Sequence, residues 1–270
     1  MRVPGFTVPR VTTGFGPAQG FGASETRSSR LGSVADIAVT ALPVVTPAPS
    51  APASRPTLRL ERRCWQSGDR VVCGIDEVGR GAWAGPVTVA AVVPAPDHLR
   101  GVRDSKQLTP EERERAATAV VGWAAAIGIG HASYEECDEL GMTAALRAAG
   151  RRALSQLAAQ GCEPDRIILD GNHDYLGLGS RVTTLVKGDA TSLAVAAASC
   201  VAKVTRDALM HDEAEHFPPY GFESNVGYPA PVHKAALAGY GPSAIHRRSW
   251  IFMDGLCWRG VPPPPGRLFV

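Results

Sequence analysis

Two short apolar runs in this chain end on acid. Val71-Val72-Cys73-Gly74-Ile75 leads into Asp76-Glu77, and Arg166-Ile167-Ile168-Leu169 leads into Asp170-Gly171. A carboxylate at the end of a buried strand is costly to desolvate unless a cation or a donor meets it. A single strand-end aspartate more often caps a helix or pairs with a lysine. If the two runs pair as neighbouring strands, about 4.8 Å apart, Asp76 and Asp170 converge. Two or three converging carboxylates repel one another without metal and form a hard-oxygen site suited to Mg²⁺ or Mn²⁺.

The residues after Glu77 strengthen this reading. Gly79-Arg80-Gly81 follows the first run directly. The glycines let backbone approach a ligand closely and permit positive φ, and Arg80 between them can grip phosphate. The G-K-[ST] ending of a Walker loop is missing, and Ala84 stands where G-x-G-x-x-G needs its third glycine. Acid beside glycine-arginine-glycine is consistent with a metal next to a sugar–phosphate backbone. Downstream, Lys187-Gly188-Asp189 precedes a helix whose early face is small, with Ala194, Ala196, Ala197, Ala198 and Ser199. Lys203 and Asp207 share its face at i, i+4. One reading of that pair is a surface ion pair worth a few tenths of a kcal/mol, which the pair alone favours; the other makes Asp207 a fourth carboxylate, after Asp76, Glu77 and Asp170, aimed at the sheet.

The elements that must position these groups read as one α/β domain over residues 61–256. Strands are expected at Val71–Asp76, Val87–Val93, Ala124–Ser133, Arg166–Asp170 and Arg181–Val186. Thr109-Pro110-Glu111-Glu112 opens a helix with a cap and a first-position proline. Ser133 with Glu136 opens another, expected to run to about Ala159 through Gly141 and Gly150. Asp189 is expected to cap a long helix from Ala190 to about Glu215, and Pro229 to Leu237 suggests a shorter one. The fold class is therefore α/β, a mixed sheet covered by helices.

Residues 1–60 differ. They hold eight prolines, six glycines and six arginines against Glu25 and Asp36, without helix or strand period. This reads as a disordered, mildly basic Pro/Gly/Ala-rich arm on a slightly acidic body. Asp36 and Pro43 interrupt its one apolar stretch, so no signal peptide is expected. Residues 257–270 read as a Pro-rich tail, in which Pro262–Pro265 form a stiff spacer with Leu268-Phe269 at its tip. That layout suits a peptide docking in a pocket on a partner such as a replication sliding clamp. The glutamine usual in clamp-binding peptides is absent, and a frayed tail is favoured.

The whole chain, 270 residues with 44% hydrophobic and 20% charged residues and a formal charge of +2, is not disordered or fibrous as a whole. No apolar run approaches the ~18 residues of a membrane span, so no membrane association is expected. The six cysteines contain no C-x-x-C pair, which speaks against a zinc ribbon and a disulfide scaffold and points to a reducing, cytoplasmic location.

Gly74-Ile75-Asp76-Glu77-Val78-Gly79-Arg80-Gly81 through Ala84-Gly85-Pro86-Val87 closely resembles the opening motif of bacterial ribonuclease HII. So do Asp104-Ser105-Lys106-Gln107-Leu108, Ile168-Leu169-Asp170-Gly171, Lys187-Gly188-Asp189, Ala196–Asp207 and the segment Tyr240–Ser249, in the family's order. The resemblance implies a ribonuclease H-like mixed five-stranded sheet flanked by helices, with a C-terminal helical segment. It implies hydrolysis of RNA in RNA–DNA hybrids and incision 5′ of ribonucleotides embedded in duplex DNA. By matched position, Asp76, Glu77, Asp170 and Asp207 would hold two divalent ions, Mn²⁺ or Mg²⁺, which activate water and stabilise the leaving oxygen. Gly79, Arg80 and Gly81 would read the 2′-hydroxyl, Tyr228 would stack on the next nucleotide, and Lys106 and Lys187 would contact phosphate. Ala82-Trp83, Asn225-Val226 and Pro229-Ala230-Pro231 depart from the family's usual residues. Two alternatives are a hybrid-binding protein without catalysis and a ribonuclease H-like DNA nuclease. The full set of four acids speaks against the first, and the 2′-hydroxyl-reading turn against the second.

Overall fold

The computed structural model describes residues 55–102, 105 and 108–256. At its centre is a five-stranded sheet of order β3-β2-β1-β4-β5, made of β1 (Val72–Val78), β2 (Val87–Val93), β3 (Ala126–Ala132), β4 (Arg166–Asp170) and β5 (Val182–Leu185). β2 pairs antiparallel with β1 and β3, while β4 pairs parallel with β1 and β5. The mixed five-stranded sheet flanked by helices is as the sequence led one to expect.

Strand alternation sends side chains to two cores. On one face Cys73, Ile75, Val87, Val89, Ala91, Ile167 and Leu169 pack against Ala145, Leu146, Ala149, Ala153 and Leu157 of α4 (Met142–Ala159). On the other, Ala90 and Val92 pack against Ala196–Ala198 and Cys200–Ala202 of α5 (Leu193–His216) and against α2 (Pro110–Trp123). The small residues of α5 let its backbone lie almost on β1. A Cβ at Gly74 would run into the Ala194 carbonyl and the Val195 amide.

The helix starts follow the sequence where they rest on capping chemistry. Thr109–Glu112 and Ser133–Glu136 both close reciprocal capping boxes. Two expectations are corrected. The helix from Ser133 does not run through to Ala159. It ends at Gly141, where φ is +76°, giving a short α3 (Tyr134–Leu140) before α4 starts afresh. Asp189 does not cap the long helix either, because it lies in a buried 3₁₀ turn; Ser192 is the cap, its Oγ accepting from the Val195 amide.

The expected arm boundary also moves. Arg59–Gln66 form α1, and Leu58 is a buried core residue. The Thr57 amide donates to the Thr191 carbonyl, and the Leu193 amide donates to the Thr57 carbonyl. Glu61, fully buried, accepts from Ser192 Oγ at 2.6 Å and from the Ala194 amide at 2.9 Å. It is a second acceptor at the start of α5, supplied from a distant part of the chain. Residues 1–54 of the arm and the tail 257–270, including Leu268-Phe269, lie outside the described residues. α6 (Phe222–Asn225) and α7 (Pro231–Tyr240) form a helical segment beyond α5. No helix among the described residues is long and apolar enough to cross a membrane.

Candidate active site

β1 and β4 pair with Ile75 opposite Leu169, so the next residues, Asp76 and Asp170, sit side by side where that pairing ends; β1 itself runs on to Val78 against β2, so the expected end of the strand at Asp76 is corrected. Both belong to the face that α5 covers. Glu77 projects toward the other face, where Tyr175 packs with the α4 core. Asp76 is buried, and the Glu77 amide donates to its Oδ1 at 2.8 Å. Asp170 Oδ1 accepts from the Gly188 amide at 2.7 Å, so the Lys187-Gly188-Asp189 loop is pinned to the end of β4. Lys187 adopts a left-handed conformation at φ +56° with its side chain exposed.

Burial drives the Asp76 carboxyl well above the usual carboxylate range, and the charges of Glu77 and Asp170 push it further; Ser199 and the Glu77 amide pull back. Burial raises Glu77 too, with Arg80 opposing and Asp170 assisting. Arg80 Nη1 is 3.9 Å from Glu77 Oε1, and its side chain is largely exposed. Glu77 Oε2 and the Tyr175 hydroxyl are both buried on this side of β1, with no partner besides each other. Asp207 is engaged elsewhere: Lys203 Nζ donates to its Oδ1 at 2.8 Å, and Arg113 lies 3.6 Å from its Oδ2.

Asp76, Glu77 and Asp170 are thus gathered electrostatically, with Asp207 turned to cations. Among the described residues, no three His, Cys, Asp or Glu side chains form a set that could hold a metal ion as they stand. Strand alternation puts Glu77 on the face opposite Asp76 and Asp170. The donors themselves fit a hard divalent cation. They are all oxygens, and an added dication would oppose the burial and like charge that raise Asp76 and Glu77.

The glycine-arginine-glycine turn is held from beneath by two buried arginines. Arg206 donates to the carbonyls of Pro86, Val226 and Ala84 at 2.9, 2.8 and 3.1 Å. Arg247 donates twice to Gly85 and once to Arg80. Burial lowers Arg206 to about 10, which still leaves it charged at neutral pH. Gly79 has φ +91°, and a Cβ there would strike Arg206 and the Pro86 carbonyl. Gly81 is open, and a Cβ would meet only Tyr228 Cε1 at 3.9 Å.

Tyr228 is brought to this turn, its hydroxyl accepting from the Gly79 amide at 3.2 Å. The Trp83 and Ala84 amides donate to the Gly227 carbonyl. A buried relay fixes the loop from behind. The Ser243 amide donates to His246 Nδ1, so His246 Nε2 donates to His233 Nε2 at 2.9 Å, and His233 Nδ1 donates to the Tyr228 carbonyl at 2.9 Å. Val226, two residues before Tyr228, is left-handed at φ +43°, a strained conformation for a β-branched residue. Trp83 is half-buried and stacks on Phe252 at 4.3 Å. Lys106 lies outside the described residues.

A family model described as ribonuclease HII matches residues 73–253. The chain belongs to the ribonuclease HII family. It is 50% identical over 214 residues to the ribonuclease HII of Streptomyces avermitilis, covering 77% of this chain and 89% of that one. Among solved structures, ribonuclease H2 of Pyrococcus horikoshii is similar with a TM-score of 0.56 at 27% identity, covering 68% of this chain and 95% of that one. The ribonuclease HII of Archaeoglobus fulgidus, solved in complex with PCNA, is similar with a TM-score of 0.55 at 26% identity, over 67% and 95%. Ribonuclease HII enzymes are endonucleases that hydrolyse the RNA of RNA–DNA hybrids. Three groups that shape this site, Tyr175, Arg206 and Arg247, carried no local signal of their role. An arginine that donates only to carbonyls looks, in sequence, like any surface arginine.

Proposed function

We propose that this ribonuclease HII incises 5′ of ribonucleotides embedded in duplex DNA, as well as hydrolysing RNA in hybrids, with Asp76, Glu77, Asp170 and Asp207 as ligands of two divalent ions, Mn²⁺ or Mg²⁺. The observation that carries this is the adjacency of Asp76 and Asp170 on neighbouring strands, destabilised by burial and like charge until a cation arrives. Bound divalent ions would supply water activation and leaving-group stabilisation. Asp207 completes the set once it is released from Lys203 and Arg113, whose charges then face phosphate. Gly81 and Arg80 approach the ribose and its phosphate. Gly79 makes the turn itself, and Tyr228 offers its ring to the neighbouring nucleotide. Lys106 and Lys187 contact phosphate.

The test is cleavage of a duplex with a single ribonucleotide, in Mn²⁺ or Mg²⁺, beside an all-DNA duplex. Cutting 5′ of the ribonucleotide alone supports the reading. Equal cutting of both duplexes would mean a DNA nuclease, and binding without cutting a hybrid-binding protein. The cytoplasm is the proposed compartment. The PCNA complex of the archaeal relative supports a sliding clamp as partner for the C-terminal tail, and a peptide of residues 260–270 titrated against the clamp tests it; no binding at high micromolar concentration retires that part.

A further inference from the structure

α1 carries Arg59, Arg62 and Arg63 on one exposed face, at i, i+3 and i+4, with Gln66 one turn further on. The opposite face is apolar and seated: Leu58 is buried with α5, and Leu60, Cys64 and Trp65 pack beside Val72, Ile168 and Val195. The three arginines line an open concavity of about 340 Å³ together with Thr57 and Gln66. Among the described residues, no ion pair or side-chain hydrogen bond engages their guanidinium groups. The acid within the helix, Glu61, is turned inward to Ser192 and Ala194. Like charges at these spacings oppose one another. No acid among the described residues relieves them, on a body that is otherwise slightly acidic.

The position of the patch relative to the acids is fixed by hydrogen bonds. Thr57, two residues before Arg59, is bonded through its backbone to both Thr191 and Leu193. Gly188, at the other end of that loop, donates to Asp170, and exposed Lys187 precedes it. The start of α1 is thus tied, through Thr191–Leu193 and the Gly188 loop, to the end of β4 that carries Asp170.

We propose that Arg59, Arg62 and Arg63 form a phosphate-backbone grip for the duplex, separate from the acids. Guanidinium groups on one helix face offer several donors each to phosphate oxygens, and a duplex presents one negative charge per about 1.7 Å of its axis. The grip reads no base and takes DNA or hybrid alike, so it adds affinity and register without sequence preference. It deepens the hydrolase reading above and rests on it for the identity of the ligand.

The experiment is equilibrium binding of an all-DNA duplex to the full chain in EDTA, as a function of salt, which requires no catalysis. The R59A/R62A/R63A variant is expected to bind more weakly, with a salt slope shallower by about two to three, close to one per lost contact. An R59K/R62K/R63K variant keeps most of the slope, and it stands in if the alanine variant melts early. An R100A/R115A/R151A variant, which removes the same charge from other exposed positions, keeps the wild-type slope. Unchanged binding by the alanine variant overturns the grip, as does an equal loss in the R100A/R115A/R151A variant, which would mean net charge alone. Failure of the hydrolase reading shows separately, as wild-type protein that binds duplex and cuts no ribonucleotide-containing strand.

Discussion

Asp76 is held in the fold at a cost. Its carboxyl titrates above its unfolded value, so the folded state binds the extra proton. Stability from this group is present at low pH and is lost as pH rises through the raised value. At neutral pH without metal, Asp76→Asn should therefore raise the melting temperature. Each unit of upward shift is worth about 1.4 kcal/mol, or roughly 2–4 °C per kcal/mol in a chain of this size. The same variant should lose cleavage and the stabilisation that Mn²⁺ gives to wild type. Thermal scans in EDTA and in Mn²⁺ check both, and a variant melting below wild type in EDTA would contradict the assignment. Gly81 gives the complementary test. An alanine there meets only Tyr228 at contact distance, so Gly81→Ala should fold and bind metal normally yet lose most cleavage at a single ribonucleotide. Gly79→Ala should instead destabilise, because Arg206 and a carbonyl occupy the space. Tyr175 was not foreseen. Its buried hydroxyl has no partner besides Glu77 on that side of β1, and Tyr175→Phe should weaken Mn²⁺ affinity about tenfold, the lower end of the usual outer-shell effect, as read by calorimetry.

At the scale of elements, α1 and α5 are one unit. Glu61 accepts from Ser192 Oγ and the Ala194 amide in a fully buried setting, so Glu61→Ala leaves two donors without an acceptor. It should cost about 2 kcal/mol or more, measured by urea unfolding. The same contact sets where the chain can be shortened. Removal of residues 1–54 should leave stability and cleavage at moderate salt nearly unchanged. Removal of residues 1–60 takes away Thr57 and Leu58 and should lower the melting temperature. If removal of residues 1–54 alone unfolds the protein, the arm is structural.

For the whole molecule, the buried histidine pair makes acid the weak direction. Burial and the neighbouring His233 lower His246 to about 3, and burial lowers His233 as well. The unfolded chain, titrating near 6.5, then binds more protons. Stability from the pair is complete above about pH 6.5 and falls as pH drops, by up to about 1.4 kcal/mol per unit for each histidine. Urea unfolding at pH 7 and pH 5 should show that loss, and His246→Gln should flatten it. Because the relay ends on the Tyr228 carbonyl, cleavage by that variant should also suffer through a displaced Tyr228.

Strand positions, the two capping boxes and the acids on the strands were legible in the sequence because each rests on neighbours a few residues apart. Apolar alternation, a Thr or Ser three residues before a Glu, and a glycine-arginine-glycine turn are local chemistry. The order of motifs also carried the family. What only the tertiary structure decided depends on pairs far apart in the chain. Glu61 supports α5 across 131 residues, and Arg247 holds the Gly85 carbonyl across 162. Tyr228 reaches Gly79 across 149. No local pattern marks a buried arginine whose partners are carbonyls, since every residue has a carbonyl to offer. Nor does composition show that a basic stretch beside a proline-rich arm folds into a helix, because what holds α1 is the burial of its apolar face against α5 and the sheet.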